Sequence, residues 1–109
     1  SGKTYDPFTF HSITVADLKA TAQAQGTTLE VGDILIIRTG WVDTYHKLSD
    51  AKKQELAAIR HTLEHYYVGL EQSEEMLDYL HDGYFAAAAS DCICFEAWPP
   101  SKTGPMLHA

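Results

Sequence analysis

Ile13 and Leu18, at the spacing of a hydrophobic staple, combine with capping residues to predict a helix over residues 14–25, after a loop-like stretch over residues 1–12. Thr14 and Asp17 have the spacing of a capping box, in which each side chain can accept from the main-chain N–H of the other residue. Gly26 follows as the kind of residue on which helices commonly end. The first helix therefore carries a boundary signal at each end.

Apolar residues that recur at spacings of three and four predict two further helices. One of them covers roughly residues 50–67. The other begins after Ser73, whose side chain can cap it, and ends at Gly83. Its expected buried face comprises Met76, Leu77 and Leu80.

Two runs of small or apolar residues are too short to be helices and predict strands. Residues 34–39 begin with Ile-Leu-Ile-Ile, which is typical of a strand covered on both faces in a parallel or mixed sheet. Residues 84–90 are rich in alanine and predict a small-residue strand packed closely under a helix. The order helix, strand, helix, helix, strand predicts an α/β fold.

The composition is that of an ordinary globular protein, and 109 residues form one domain or part of one. The net charge is −7, and the eight Lys and Arg residues are scattered along the chain. Nucleic acid is therefore not an expected partner, because phosphate binding needs clustered cations. A membrane is not expected either, since no apolar run approaches the ~20 residues of a spanning helix.

The two cysteines, Cys92 and Cys94, stand in a C-x-C spacing that makes a poor disulfide within one strand. We interpret them as buried free thiols, because a zinc site would need a second pair of ligands. Free thiols fit a reducing compartment, so we expect a cytoplasmic protein.

His61, Glu64 and His65 satisfy the H-x-x-E-H pattern of inverted zinc peptidases. On a helix the two histidines would lie one turn apart and could hold zinc, with the glutamate as general base. The pattern supplies no third ligand. We therefore favour the interpretation that these histidines lie on a polar helix face.

Residues with binding or catalytic potential follow both predicted strands, where ligands of open α/β sheets commonly bind. Trp41 follows the first strand, with core packing as the alternative role. Asp91 follows the second strand, and Phe95, Glu96 and Trp98 crowd the next turn. A carboxylate among aromatic residues could bind a ligand or catalyse, and it could equally cap a turn.

Taken in order along the chain, several short segments resemble the cyclase family of metal-dependent hydrolases, which includes bacterial kynurenine formamidase and isatin hydrolase. The first runs from Gly-Asp through Ile-Leu-Ile-Ile to Arg-Thr-Gly-Trp. The last is a Phe-Glu-Ala-Trp-Pro turn followed by Ser-Lys-Thr and then Leu-His. The resembling segments are residues 32–41, 69–70, 90–91, 95–99, 101–103 and 107–108.

The resemblance implies a swivelling β/β/α fold with a mixed sheet and flanking helices. It also implies hydrolysis of an amide or lactam-like C–N bond in a small, often aromatic substrate. The cofactor it implies is a divalent metal, zinc or manganese, held by a His-x-Gly-Thr-His-x-Asp-x-Pro-x-His segment that the sequence lacks. Only His108 matches a later family histidine, and it is the expected metal ligand. The expected walls of the substrate site are Trp41, Phe95 and Trp98.

We therefore interpret residues 1–109 as a single partial domain, the central to C-terminal part of a cyclase-like hydrolase, and expect it to be inactive alone. The expected partners are a small-molecule substrate, the remainder of the same protein and further copies in a homo-oligomer. One alternative is a non-catalytic small-molecule-binding or assembly module on the same scaffold. Another is a zinc peptidase that acts through His61, Glu64 and His65.

Overall fold

The computed structural model of the protein describes residues 4–59 and 65–108. Helices and strands are interspersed along these residues, which confirms the α/β fold class. The elements are β1 (His11–Ile13), α1 (Val15–Gln25), β2 (Ile34–Ile37), α2 (Trp41–Lys47), α3 (Asp50–Ala58), β3 (Val68–Leu70), α4 (Glu74–Asp82) and β4 (Ala87–Ser90).

Helix α1 has both of the boundaries that its sequence predicts. The Asp17 N–H donates to Thr14 Oγ1 at 3.1 Å, and the Thr14 N–H donates to Asp17 Oδ2 at 3.0 Å. These two bonds form the capping box and satisfy main-chain donors that the first turn leaves free. Gly26 ends the helix in the left-handed conformation, with a φ of 65°.

Helix α4 also follows its prediction. Ser73 caps it by accepting from the Met76 N–H at 3.2 Å, and Gly83 follows its last turn. Met76 is fully buried, while Leu77 and Leu80 are half-buried. Met76 belongs to the core and Leu80 packs against it, as predicted, whereas Tyr79 rather than Leu77 is the third residue of this helix that contacts the core.

The predicted helix over residues 50–67 is too long. Helix α3 ends at Ala58, and Tyr67 instead exchanges two main-chain hydrogen bonds with Trp98, at 3.1 and 3.0 Å. Tyr67 has the apolar spacing of a helix, but strand-like pairing is what buries it. The pattern also does not predict α2, which begins directly after Gly40.

Strand β3 is the most deeply buried element. It pairs in parallel with β1, in a register that joins Val68 to His11 and Leu70 to Ile13. Leu70 of this strand also forms a parallel bridge with Glu96, and Tyr67, just before the strand, forms an antiparallel bridge with Trp98. Val68 and Leu70 are 0% and 1% exposed.

Strands β2 and β4 form a second parallel pair, but the prediction that β2 is covered on both faces is wrong for this chain. Leu35 and Ile37 are buried, whereas Ile34 and Ile36 are 64% and 73% exposed. The residues of β4 that lie opposite them, Ala87 and Ala89, are exposed too, so β4 is not packed closely under a helix. One face of this pair is therefore bare.

The core lies where the buried face of β2 meets α1, α4 and β3. It comprises Val15, Leu35, Ile37, Leu70 and Met76. None of the helices in the described parts of the chain is long and apolar enough to cross a membrane.

Candidate functional site

The carboxylate of Asp91 joins the ends of β2 and β4. Its Oδ1 accepts from both the main-chain N–H of Thr39, at 2.6 Å, and the Thr39 hydroxyl, at 2.7 Å. Its Oδ2 accepts from the Gly40 N–H at 3.1 Å. Asp91 thus holds the turn that leads into α2, which agrees with the turn-capping alternative that its sequence position left open.

These hydrogen bonds determine the ionisation of Asp91. Burial alone would raise the pKa of its carboxyl, but the hydrogen bonds from Thr39 and Gly40 outweigh that effect and lower the pKa below its ordinary value. Asp91 is therefore ionised at neutral pH. Most of its acceptor capacity is taken up by the turn, which favours a structural role.

A second carboxylate, Glu96, pairs with His108. Glu96 is 1% exposed, and its two oxygens lie 2.7 and 2.6 Å from Nδ1 of His108. Its Oε1 also accepts from the main-chain N–H groups of Leu107, at 2.5 Å, and His108, at 3.2 Å. A single buried carboxylate therefore fixes both the main chain and the ring at this position.

The charge of Glu96 follows from the same contacts. Burial would raise the pKa of the Glu96 carboxyl, but hydrogen bonds, including those from His108 and Leu107, lower it below its ordinary value. An ionised carboxylate can only accept, so Nδ1 of His108 carries the proton. In the neutral imidazole the lone pair is then on Nε2, on a side chain that is 58% exposed.

The position of Glu96 depends on Gly69 in β3. A Cβ atom at residue 69 would overlap the carbonyl group of Glu96 and the main-chain nitrogen of Ala97. Only glycine lets the two segments approach this closely. The Glu96–His108 pair is thus built on the most buried strand of the chain.

Gln72, which follows β3 directly, holds the loop that leads to His108. Its side-chain amide donates to the carbonyl of Pro105 at 3.1 Å and accepts from the N–H of Ser101 at 2.6 Å. The loop therefore starts and ends against the same side chain. Sequence reasoning missed this contact, since Gln72 lies 29 residues before Ser101.

Trp41, the first predicted wall residue, lies in an aromatic cluster. Its ring stacks on Tyr45 at a centroid distance of 5.2 Å and meets Phe8 and the edge of Tyr67. It lines a cavity of about 260 Å³ beside these rings. Its Nε1–H is buried and has no hydrogen-bond partner among the described residues.

Phe95 and Trp98, the other two predicted wall residues, do not line that cavity. Phe95 packs against the core, and Trp98 is half-buried with its main chain paired to Tyr67. The structure therefore separates Trp41 from the segment that carries Glu96 and His108. That these three residues bind substrate remains a prediction.

The remaining candidate ligands form no metal site in the part of the chain that the structure describes. Within it, no group of three or more His, Cys, Asp or Glu side chains could hold a metal ion. Cys92 and Cys94 are free, half-buried thiols, and burial raises the pKa of both. The H-x-x-E-H pattern lies mostly outside the described residues. Its last member, His65, contacts the carbonyl of Ile59 and stacks on Tyr67.

Comparison with known proteins assigns the family. A family model described as "Putative cyclase" matches residues 4–97. The chain is also similar to a crystal structure of a novel cyclase, with a TM-score of 0.67 and 27% identity over 84% of this chain. No curated protein matches the chain. The match covers 28% of the solved cyclase, so the chain corresponds to about a quarter of that protein. The chain belongs to the cyclase family.

Proposed function

We propose that this member of the cyclase family forms one wall of the active site of a metal-dependent hydrolase. Its reaction would be hydrolysis of an amide or lactam-like C–N bond in a small substrate with aromatic character. The observation that carries the proposal is the buried Glu96 carboxylate, which fixes Nδ1–H of His108 and does not engage Nε2, on a side chain that is 58% exposed.

This arrangement suits a histidine that binds a metal or moves a proton. Metal-binding histidines commonly donate their second ring N–H to a carboxylate, which sets the tautomer and raises the basicity of the other nitrogen. The same pairing orients the general base in many hydrolases. Glu96 would be the positioning residue in either case.

The described residues fit one ligand position and not a complete metal site. His108 would supply Nε2 to a zinc or manganese ion, and the remaining donors must come from outside the described residues, because these contain no group of three. A divalent ion bound there would polarise the substrate carbonyl as a Lewis acid. This chain's own contribution is to hold His108 in one tautomer and one orientation.

Binding at His108 can be tested on the 109-residue chain by NMR with Mn²⁺ as a paramagnetic probe. We expect weak binding that broadens the ring signals of His108, and we expect His108→Ala to remove the broadening of nearby residues. His81→Ala is the control, because it removes an exposed histidine on α4 that pairs with Asp82. Broadening near residues 96–107 that persists in His108→Ala would exclude His108 as the ligand.

Catalysis needs a separate assay on a longer polypeptide that supplies the remaining donors. With Zn²⁺ or Mn²⁺ present, we expect it to hydrolyse aryl formamides or lactams, and His108→Ala to lose about 100-fold in activity. The 109-residue chain alone should show neither activity nor stoichiometric metal. Full activity in His108→Ala, or no hydrolysis of any C–N substrate by the parent polypeptide, would contradict the proposal.

A further inference from the structure

The cavity beside Trp41 has a chemistry that the hydrolase proposal does not use. Its volume is about 260 Å³, and neither Glu96 nor His108 lines it. Five of the nine described lining residues carry aromatic rings, and Lys53 is the charged one among them. The residues that matter are Phe8, Trp41, Tyr45, His65, Tyr67 and Lys53.

The rings around the cavity lie at different angles to one another. Trp41 and Tyr45 are stacked with an interplanar angle of 9°, whereas Trp41 and Tyr67 meet at 77° and Trp41 and Phe8 at 47°. Such a mixture suits an aromatic occupant, which prefers offset-stacked and edge-to-face contacts. The cavity is smaller than the roughly 300–1,000 Å³ of drug-sized sites, so one ring is the expected size.

The charge of the lining residues indicates which substituent a bound aromatic ring would carry. The ammonium group of Lys53 lies 5.5 Å from the centroid of the Tyr45 ring, and no Asp or Glu is among the described lining residues. A cation in this ring-lined cavity would gain attraction to the ring faces, but Lys53 already occupies one of them and repels it. An anion instead gains a counter-ion.

We propose that this cavity binds a small aromatic carboxylate of the size of benzoate. The ring packs among Trp41, Tyr67 and Phe8, and the carboxylate faces the ammonium group of Lys53. A small turn of the indole would let a carboxylate oxygen accept from Trp41 Nε1–H, which is otherwise buried without a partner. Such a partner matters, because leaving a buried donor unsatisfied is energetically unfavourable.

NMR titration of the 109-residue chain with sodium benzoate tests this binding, because each tryptophan gives its own indole N–H signal. We expect the Trp41 signal to shift saturably and the Trp98 signal to stay unchanged. Benzylamine, which has the same ring and the opposite charge, should bind at least about tenfold more weakly. Equal binding of the two compounds, equal shifts of both indole signals, or no saturable shift at millimolar benzoate would overturn the proposal.

A pair of neighbouring lysines on α3 supplies the matched variants. Lys53→Gln should weaken benzoate binding about three- to fivefold and leave the binding of neutral benzyl alcohol unchanged. Lys52→Gln should change neither, because the ammonium group of Lys52 bonds Glu55 and does not line the cavity. Circular dichroism of both variants checks that they fold. A loss that is the same for benzoate and benzyl alcohol would count against a role for Lys53.

Discussion

The two carboxylate regions of this molecule, around Asp91 and around Glu96, have the same ionisation and different contacts. Asp91 and Glu96 lie only a few residues apart, and hydrogen bonds lower the pKa of both below their ordinary values. Asp91 directs its oxygens at the main chain and hydroxyl of a turn, so its contacts end within the fold. Glu96 directs its oxygens at His108, whose second ring nitrogen remains at an exposed edge.

A carboxylate's burial or pKa alone therefore does not identify a functional site. What separates the two regions is the partner, because main-chain donors can only hold a shape, whereas a histidine transmits the contact to its other nitrogen. By this criterion Asp91 stabilises the β2–α2 turn, and under the proposed function Glu96 would position His108.

The substitution with the largest expected effect on stability alters the strand that supports Glu96. Gly69→Ala should destabilise the chain by about 3 kcal/mol in urea unfolding, because its Cβ would overlap the main chain of Glu96. Gly26→Ala is the control. It places a side chain in a left-handed position with open space around it, and should cost about 1 kcal/mol. Equal costs for the two variants would show that the close approach at Gly69 is not tightly packed.

Removal of Asp91 comes next and isolates the other region. Asp91→Ala should cost about 2 kcal/mol, since it leaves donors of Thr39 and Gly40 without a charged acceptor. The signals of His108 should stay unchanged in NMR spectra. Asp43→Ala, which removes an exposed partner of Lys47 on α2, should have no measurable effect on unfolding. A shift at His108 in Asp91→Ala would mean that the two regions are coupled.

Unfolding at acidic pH tests whether folding lowers the pKa of Asp91. A carboxyl whose pKa is lowered by folding binds a proton more readily in the unfolded state, so its stabilisation is present above the unfolded pKa and is lost as the pH falls. We expect the free energy of unfolding to decrease below the ordinary Asp pKa of 3.8. The free energy of unfolding of Asp91→Asn should decrease less steeply in that pH range. The decrease that remains should include the contribution of Glu96. An unchanged slope, measured by urea unfolding at several acidic pH values, would show that the Asp91 pKa is not lowered.

The substitution with the smallest expected effect on stability tests how Glu96 positions His108. Glu96→Gln keeps the shape but removes the charge, and should cost about 1 kcal/mol. Its clearer consequence is on His108, whose ring should lose its fixed tautomer in nitrogen-detected NMR, because a neutral amide no longer requires the proton on Nδ1. Glu55→Gln, at an exposed ion pair, is the matched control. A single unchanged tautomer in Glu96→Gln would remove Glu96 as the positioning residue.

Local signals account for the parts of the fold that the sequence predicts well. Helices α1 and α4 start at Thr14 and Ser73 because those side chains bond main-chain groups three residues away. Strands β1 and β3 were not predicted, since each has three residues and is formed by pairing with residues far along the chain. The helix predicted over residues 50–67 is too long for the same reason, because Tyr67 pairs with Trp98, which lies far along the chain.

The candidate site shows the same limit. Glu96 lies in the aromatic turn that the sequence singles out, and His108 is a ligand that the family resemblance implies, but no spacing rule predicts that they touch. The contact between Thr39 and Asp91 spans 52 positions and carries no local signal. Sequence therefore indicated the residue types, while only the folded chain shows which carboxylate faces a turn and which faces a histidine.

The bare face of β2 and β4 bears on how the chain moves. Parallel strands are ordinarily covered on both sides, so this pair buries much less apolar surface than is usual. With Ile34 and Ile36 largely in water, its main-chain hydrogen bonds have solvent close by. Amide protons of this pair should therefore exchange with solvent through local opening at a lower free energy than those of β3. Local opening would therefore begin at β2 and β4 and would reach β3, which supports Glu96 and His108, last.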